Sequence, residues 1–212
     1  MDLETEFLQA LIEQAHNQDV NNKLQTLSKK VSWAKGWPNN KKAFWNSEAF
    51  MWKKIINKAQ REHITSQIQQ ILKQKGNNLD IGAGAYSYIK SVAIDISPKM
   101  LQLNENATEK IVGDIEKELL FKSNSFNSIT AVFILNYVQN IQNLLGEVQR
   151  VLKKDGTFIV VLSKIGINVR HKAHQKQTLS KKEWRSVFTG NKFHVNIIEN
   201  DTLWFFVCSK PS

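Results

Sequence analysis

Cysteine is nearly missing from this chain of 212 residues. The single copy, Cys208, excludes an internal disulfide framework and leaves no zinc-ligand spacing. Long apolar runs are missing too. "TAVFIL" and "TFIVVL" are far too short to span a bilayer. The N-terminal "MDLETEFLQA" is acidic and amphipathic, without the basic start and apolar stretch of a secretory signal. A reduced, cytoplasmic setting with no membrane partner is therefore expected. No serine–histidine–acid spacing and no phosphate loop with its lysine occur. No "NPPY" or "DPPY" segment follows the fourth strand-like run. Internal repeats and low-complexity linkers are absent. Hydrophobic residues make up 42%, an ordinary value that excludes a disordered or fibrous chain.

Acidic residues are scarce, and unevenly so. The net charge is +10. Residues 1–76 carry +5, residues 77–162 carry −1, and residues 163–212 carry +6. Basic flanks around a neutral middle suit an anionic partner such as RNA. The plainer reading is a solvated lysine surface.

What is present has two periods. Leu3, Phe7, Leu11 and Ala15 predict a helix over 3–15; Leu24, Leu27 and Val31 predict a second. "GWPNNKK" predicts a loop. A long helix is expected over 47–75, capped by Asn46 or Ser47 and ended by Gly76. After it, "NNLDI", "SVAID", "KIVGD", "SITAVFIL" and "TFIVVLS" are short, β-branched apolar runs. The helix "IQNLLGEVQRVLKKDG" stands between the fourth and fifth. Such alternation implies a parallel sheet buried on both faces. "SKKEW" opens a helix with a capping box of Ser180 and Glu183. "FHVNIIE" and "LWFFVCS", joined by Asn200 and Asp201, predict a hairpin with an antiparallel last strand.

Ligands of an open parallel sheet bind beyond the carboxyl ends of its strands. There the chain reads "LDIGAGAYSYIKSVAID", residues 79–95. Gly82 and Gly84 allow close backbone approach. A dinucleotide site wants a third glycine at 87, which is Ser87, and the segment to the next strand is short. An NAD site is disfavoured on both counts. Asp95 ends the second strand, where a carboxylate can accept from a ribose diol. Asp114 follows the third, able to accept from an exocyclic amine.

Together "LDIGAG", "AIDISPKML", the stretch from "VGDIEKELL" to "ILNYVQN", and "LLGEVQRVLKKDGTFIVV" resemble the core of the class I S-adenosylmethionine-dependent methyltransferases. The variant "ILNYV" is similar to the subgroup acting on small molecules. The resemblance implies an α/β, Rossmann-like, mostly parallel seven-stranded sheet flanked by helices, its last strand antiparallel. Residues 77–212 would be that domain, and residues 1–76 a helical extension or lid. The implied cofactor is S-adenosyl-L-methionine. Asp80, Gly82 and Gly84 would surround its methionine part; Asp95 would hold the ribose; Ile96 and Ile115 would flank the adenine. Asp114 would bind the adenine amine, and Asn136 would line the sulfonium side. With the third glycine absent, Tyr86, Tyr88 or the N-terminal segment would hold the methionine carboxylate. No metal is implied.

Three features remain open. Trp33, Trp37, Trp45 and Trp52 either close a lid or pack the extension, packing being the plainer reading. "VRHKAHQKQ" carries His171 and His174, either as a base or anion site or, more plainly, on a solvated loop. Tyr137 and His171 are candidates for proton transfer. The expected function is methyl transfer to a small molecule. The alternatives are an RNA methyltransferase using the basic flanks and a non-catalytic cofactor-binding relative. The oligomeric state is left open.

Overall fold

The computed structural model describes residues 2–16, 18–72, 76–165 and 169–211. Seven strands form one sheet: β1 (Asn78–Ile81), β2 (Ser91–Asp95), β3 (Ala107–Val112), β4 (Phe126–Val132), β5 (Leu152–Ser163), β6 (His194–Glu199) and β7 (Leu203–Ser209). Their order is β3-β2-β1-β4-β5-β7-β6. The first five pair in parallel, and β7 runs antiparallel to both β5 and β6. The order in which strands are added switches sides between β1 and β4, which remain parallel. The carboxyl ends there splay around a crevice.

Side-chain alternation sorts the core into two layers. Leu79, Ile81, Ile129, Ala131, Phe158, Val160 and Phe206 point to one face. There they meet α6 (Ile141–Val151) through Leu144, Leu145 and Val148, and α8 (Lys181–Gly190) through Trp184 and Phe188. Val132, Ile159, Val161 and Phe205 point to the other face, covered by Ile64 and Ile68 of α4 (Lys58–Ile71). The capping box at Ser180 and Glu183 forms as the spacing predicts.

The expected single helix over 47–75 is two helices, α3 (Lys41–Ile55) and α4, broken at Ile56 and Asn57. The caps are Asn40, which accepts from the Ala43 N–H, and Asn57, which accepts from the Gln60 N–H. Asn46 and Ser47 do not cap. Asn46 donates to the Trp33 carbonyl and accepts from the Ser97 hydroxyl, and Ser47 donates to the Phe44 carbonyl. Gly76 does not take the left-handed conformation of a helix-ending glycine, which among the described glycines is found at Gly36, Gly82 and Gly84. The last stretch of the expected helix, 73–75, lies outside the described residues.

The remaining N-terminal helices, α1 (Leu3–Ala15) and α2 (Asn21–Lys30), share a cluster of Phe7, Leu11, Leu24 and Leu27. Trp33 and Trp37 set their edges against Phe7 at 5.5 and 5.8 Å. These two tryptophans are packing residues. Helix α3 instead joins Phe44, Trp45 and Ala49 to Ala85, Met100 and Tyr137 at the carboxyl end of the sheet. Among the described residues no helix is long and apolar enough to cross a membrane.

Candidate functional site

Strand β1 ends in Ile81, and the chain turns at Gly82 (φ +60°) and Gly84 (φ +58°). Both values lie in the left-handed region that favours glycine. A Cβ on Gly82 would collide with the Ile134 side chain. One on Gly84 would stand in ordinary van der Waals contact with the Trp52 indole nitrogen at 3.7 Å and the Met100 sulfur at 3.9 Å, two residues that also line the cavity. The missing Cβ of Gly84 thus keeps the bottom of a cavity clear.

No helix follows this turn. Ser87, where a third glycine was sought, is fully buried. Its N–H donates to Asn104 Oδ1 at 3.2 Å, and Asn104 Nδ2 donates to Ser87 Oγ at 2.9 Å and to the Gly84 carbonyl at 3.2 Å. A side-chain clamp from the end of α5 (Pro98–Leu103) holds the loop that a longer helix would otherwise brace.

Two buried carboxylates sit under the turn. Asp95 accepts from the Gly84 N–H at 2.9 Å and the Ser97 N–H at 2.8 Å. Burial pushes its pKa up to about 6, against those two bonds and the pull of Lys41. Asp80 accepts from the Thr130 hydroxyl at 2.7 Å, its partner in register on β4. Burial raises it to about 7, against hydrogen bonds from Thr130 and Ser87.

The cavity above is lined by Gly82, Gly84, Asp95, Ile96, Asp114 and Ile115 on one side, and by Val132 to Ile134, Tyr137 and Val138 on another. Six of the eight expected cofactor residues converge on it. Asp80 is not a lining residue; it is buried against Thr130. Asn136 is not a lining residue either; its carbonyl accepts from the Lys176 and Gln177 N–H groups at 2.7 and 3.0 Å. Nor do Tyr86 and Tyr88 reach the cavity. Tyr88 is buried in the layer under α4, and Tyr86 lies beneath the Arg61 guanidinium.

The roof was not legible from the motifs. Helix α3 lays Lys41, Trp45 and Trp52 over the cavity. Lys41 Nζ reaches Asp114 Oδ1 at 3.1 Å and Glu116 Oε1 at 2.5 Å. Glu116 in turn accepts from the N–H groups of Gln139 and Asn140 at 2.9 and 3.0 Å. The spacing 41, 45, 48, 52 puts these residues on one helical stripe, the signal that would have found them. Its fourth member, Glu48, is buried and lies 2.7 Å from His171 Nε2. His171, in the short helix α7 (Val169–Lys172), is fully buried, so the solvated-loop reading fails for it. Apolar rings from α3 surround it, and burial among them outweighs the polarity of its neighbours in sequence. His174 stacks on Phe44 with ring centres 3.6 Å apart.

Residues 75–160 match the family model described as a methyltransferase domain. A demethylmenaquinone methyltransferase of Tropheryma whipplei is 37% identical over 94 residues, 39% of this chain and 39% of that protein. The match to this curated relative thus spans about two fifths of its length. A candidate S-adenosyl-L-methionine-dependent methyltransferase of Methanococcus maripaludis superposes with a TM-score of 0.65 at 18% identity. That alignment covers 84% of this chain and 98% of the other. A SAM-dependent methyltransferase of Aquifex aeolicus gives 0.60 at 16% identity, over 76% and 97%. The sheet order and these superpositions show a Rossmann-like fold shared with those proteins, and the stretch 75–160 that carries the glycine turn is similar to a methyltransferase domain.

Proposed function

We propose that this protein binds S-adenosyl-L-methionine and transfers its methyl group to a small-molecule acceptor. The observation that carries this reading is the convergence of Gly82, Gly84, Asp95 and Asp114 on one cavity at the strand ends. The residues fit the cofactor on structural grounds. Gly84 lines the cavity without a Cβ to fill it, and Asp95 lies on the cavity wall with lone pairs left for a ribose diol. Asp114 would accept from the adenine amine, and Ile96 and Ile115 would flank the ring. Asp80 would act from beneath, as a negative charge under the methionine portion.

When bound, the cofactor supplies an electrophilic methyl on a sulfonium. The protein's work is then to align the acceptor and exclude water. Trp45, Trp52 and Tyr137 present aromatic surface toward that region, which favours a cation and keeps it dry. A roof so close to Gly84 supports a small acceptor. The roof is part of the N-terminal extension, so residues 1–76 contribute to the site as well as to packing. The methyltransferase relatives named above support the transfer chemistry.

Calorimetric titration with S-adenosyl-L-methionine, with NAD in parallel and Asp95→Ala as the variant, tests this. Saturable binding lost in the variant, with no NAD binding, is the expected result. A folded protein that binds NAD or neither ligand would overturn it. Binding to RNA that weakens steeply with salt would move the acceptor to the basic flanks.

A further inference from the structure

The cofactor reading leaves one buried group unused, the His171–Glu48 pair. We propose that His171 marks the acceptor subsite: its Nδ1 takes the hydrogen, then the proton, of a planar N–H or O–H nucleophile held among Trp45, Trp52 and Tyr137. This rests on the methyl-transfer reading above.

Glu48 is 1% exposed and His171 0%, and they meet at 2.7 Å. Buried carboxylates are retained when paired. An ionised carboxylate only accepts, so the hydrogen between the two lies on Nε2. In that tautomer Nδ1 carries a bare lone pair. Among the described residues it has no hydrogen-bond partner. A buried polar nitrogen without a partner costs stability, and such exceptions point to a missing ligand or a catalytic role.

Its surroundings indicate what the ligand is. The imidazole centre lies 5.6 Å from Trp45, 5.8 Å from Trp52 and 6.2 Å from Tyr137. All three rings also line the cofactor cavity. Flat apolar walls select a flat ligand, and the bare nitrogen selects one that donates. Tyr137 is wall rather than base, because burial pushes its hydroxyl up to about 12 and it keeps its proton. Access to Nδ1 requires one ring to turn aside, since His171 stands one side chain behind the cavity.

In the reaction the acceptor's X–H bond breaks and its proton passes to Nδ1. The electron pair on X forms the new bond to the methyl carbon. The carbon–sulfur pair stays with sulfur, which leaves as a neutral thioether. The imidazolium so formed is held by the Glu48 carboxylate until it releases its proton to water. Glu48 is thus a positioning residue.

The full chain, labelled with ¹⁵N-histidine, is titrated with benzimidazole and with 1-methylbenzimidazole, which has the same shape but no N–H. NMR reads the two His171 nitrogens. The expected result is an Nε2–H tautomer, an Nδ1 shift with benzimidazole alone, and affinity about tenfold higher than for the methylated analogue. His171→Phe should erase that preference. If it does not fold, Glu48→Gln serves: it should weaken the tautomer preference in the free protein. Equal binding of both probes, binding of neither, or an Nδ1–H tautomer would overturn the proposal. Calorimetry with S-adenosylhomocysteine on the same samples reads the cofactor site separately. Failure there counts against methyl transfer, and failure of the histidine response alone counts only against this subsite.

Discussion

The cavity's floor comes from residues 79–138, strand ends that follow one another along the chain. Its roof comes from α3, which α7 backs from behind through a pairing of Glu48 with His171 that spans 123 positions of sequence. In the floor, the hydrogen bonds of Asp95 go to backbone N–H groups of the turns it joins, one of them two residues away. In the roof, the decisive contacts are side chain to side chain: Lys41 with Asp114 and Glu116, and Glu48 with His171. Backbone-anchored groups are held by the sheet itself. Side-chain contacts between elements hold only while the helix stays docked. The floor should therefore be rigid and cofactor-specific, and the roof the part that moves.

Breaking the floor should have the largest effect. Asp95→Ala removes a carboxylate that would accept two ribose hydrogen bonds. It is expected to weaken S-adenosyl-L-methionine binding about 100-fold, read by calorimetry. Gly82→Ala forces a side chain into left-handed backbone and against Ile134. A loss of about 2 kcal/mol is expected, seen as a melting point lower by several degrees.

Acidity sharpens the same contrast, because the buried carboxyls belong to the floor. Asp80 and Asp95 have folded pKa values raised to about 7 and about 6 from 3.8. A carboxyl raised on folding keeps its proton in the fold after the unfolded chain has lost it. The free protein should therefore lose stability as pH rises from about 4 to about 7. Asp80→Asn, whose amide oxygen can still accept from Thr130, should be more stable than wild type at pH 8 and equal to it near pH 4. A cationic cofactor favours the ionised forms, so its affinity should rise with pH up to about 7 and level off above it. Calorimetry between pH 5 and pH 8 would show a flat profile if neither carboxylate faces the ligand.

Lys41→Met tests the roof. The lysine is about one third exposed, so the loss of its two ion pairs should cost under about 1 kcal/mol. Asp95 should titrate at higher pH in the variant, because Lys41 now pulls its pKa down. Carboxyl NMR reads that shift. The smallest effect is expected at Lys58–Glu62, an exposed pair at 3.7 Å on α4 away from both regions. Glu62→Gln should change stability by less than about 0.5 kcal/mol in thermal melts.

Much of the floor could be read in the sequence, and the reasons are local. Short β-branched runs mark strands, glycine pairs mark the turn, and a carboxylate closing a strand lies at the sheet's carboxyl edge. Asp95 and Asp114 were found that way. The break at Asn57 was legible in principle, since Asn40 and Asn57 are both good caps, but an apolar stripe running through 50–72 masked it. Asp80 illustrates the limit of motif reasoning. It sits in the right motif, yet its side chain is buried against Thr130 and does not line the cavity.

The sequence alone determined where the strands lie, the glycine turn and the carboxylates at the strand ends, because each depends on neighbours a few residues away. Only the tertiary structure decided that Lys41, Trp45 and Trp52 roof the cavity, that Ser87 is clamped by Asn104, and that His171 is buried against Glu48. Those outcomes depend on which helix docks on which edge of the sheet. Burial, not local propensity, then sets how a histidine in a basic stretch behaves.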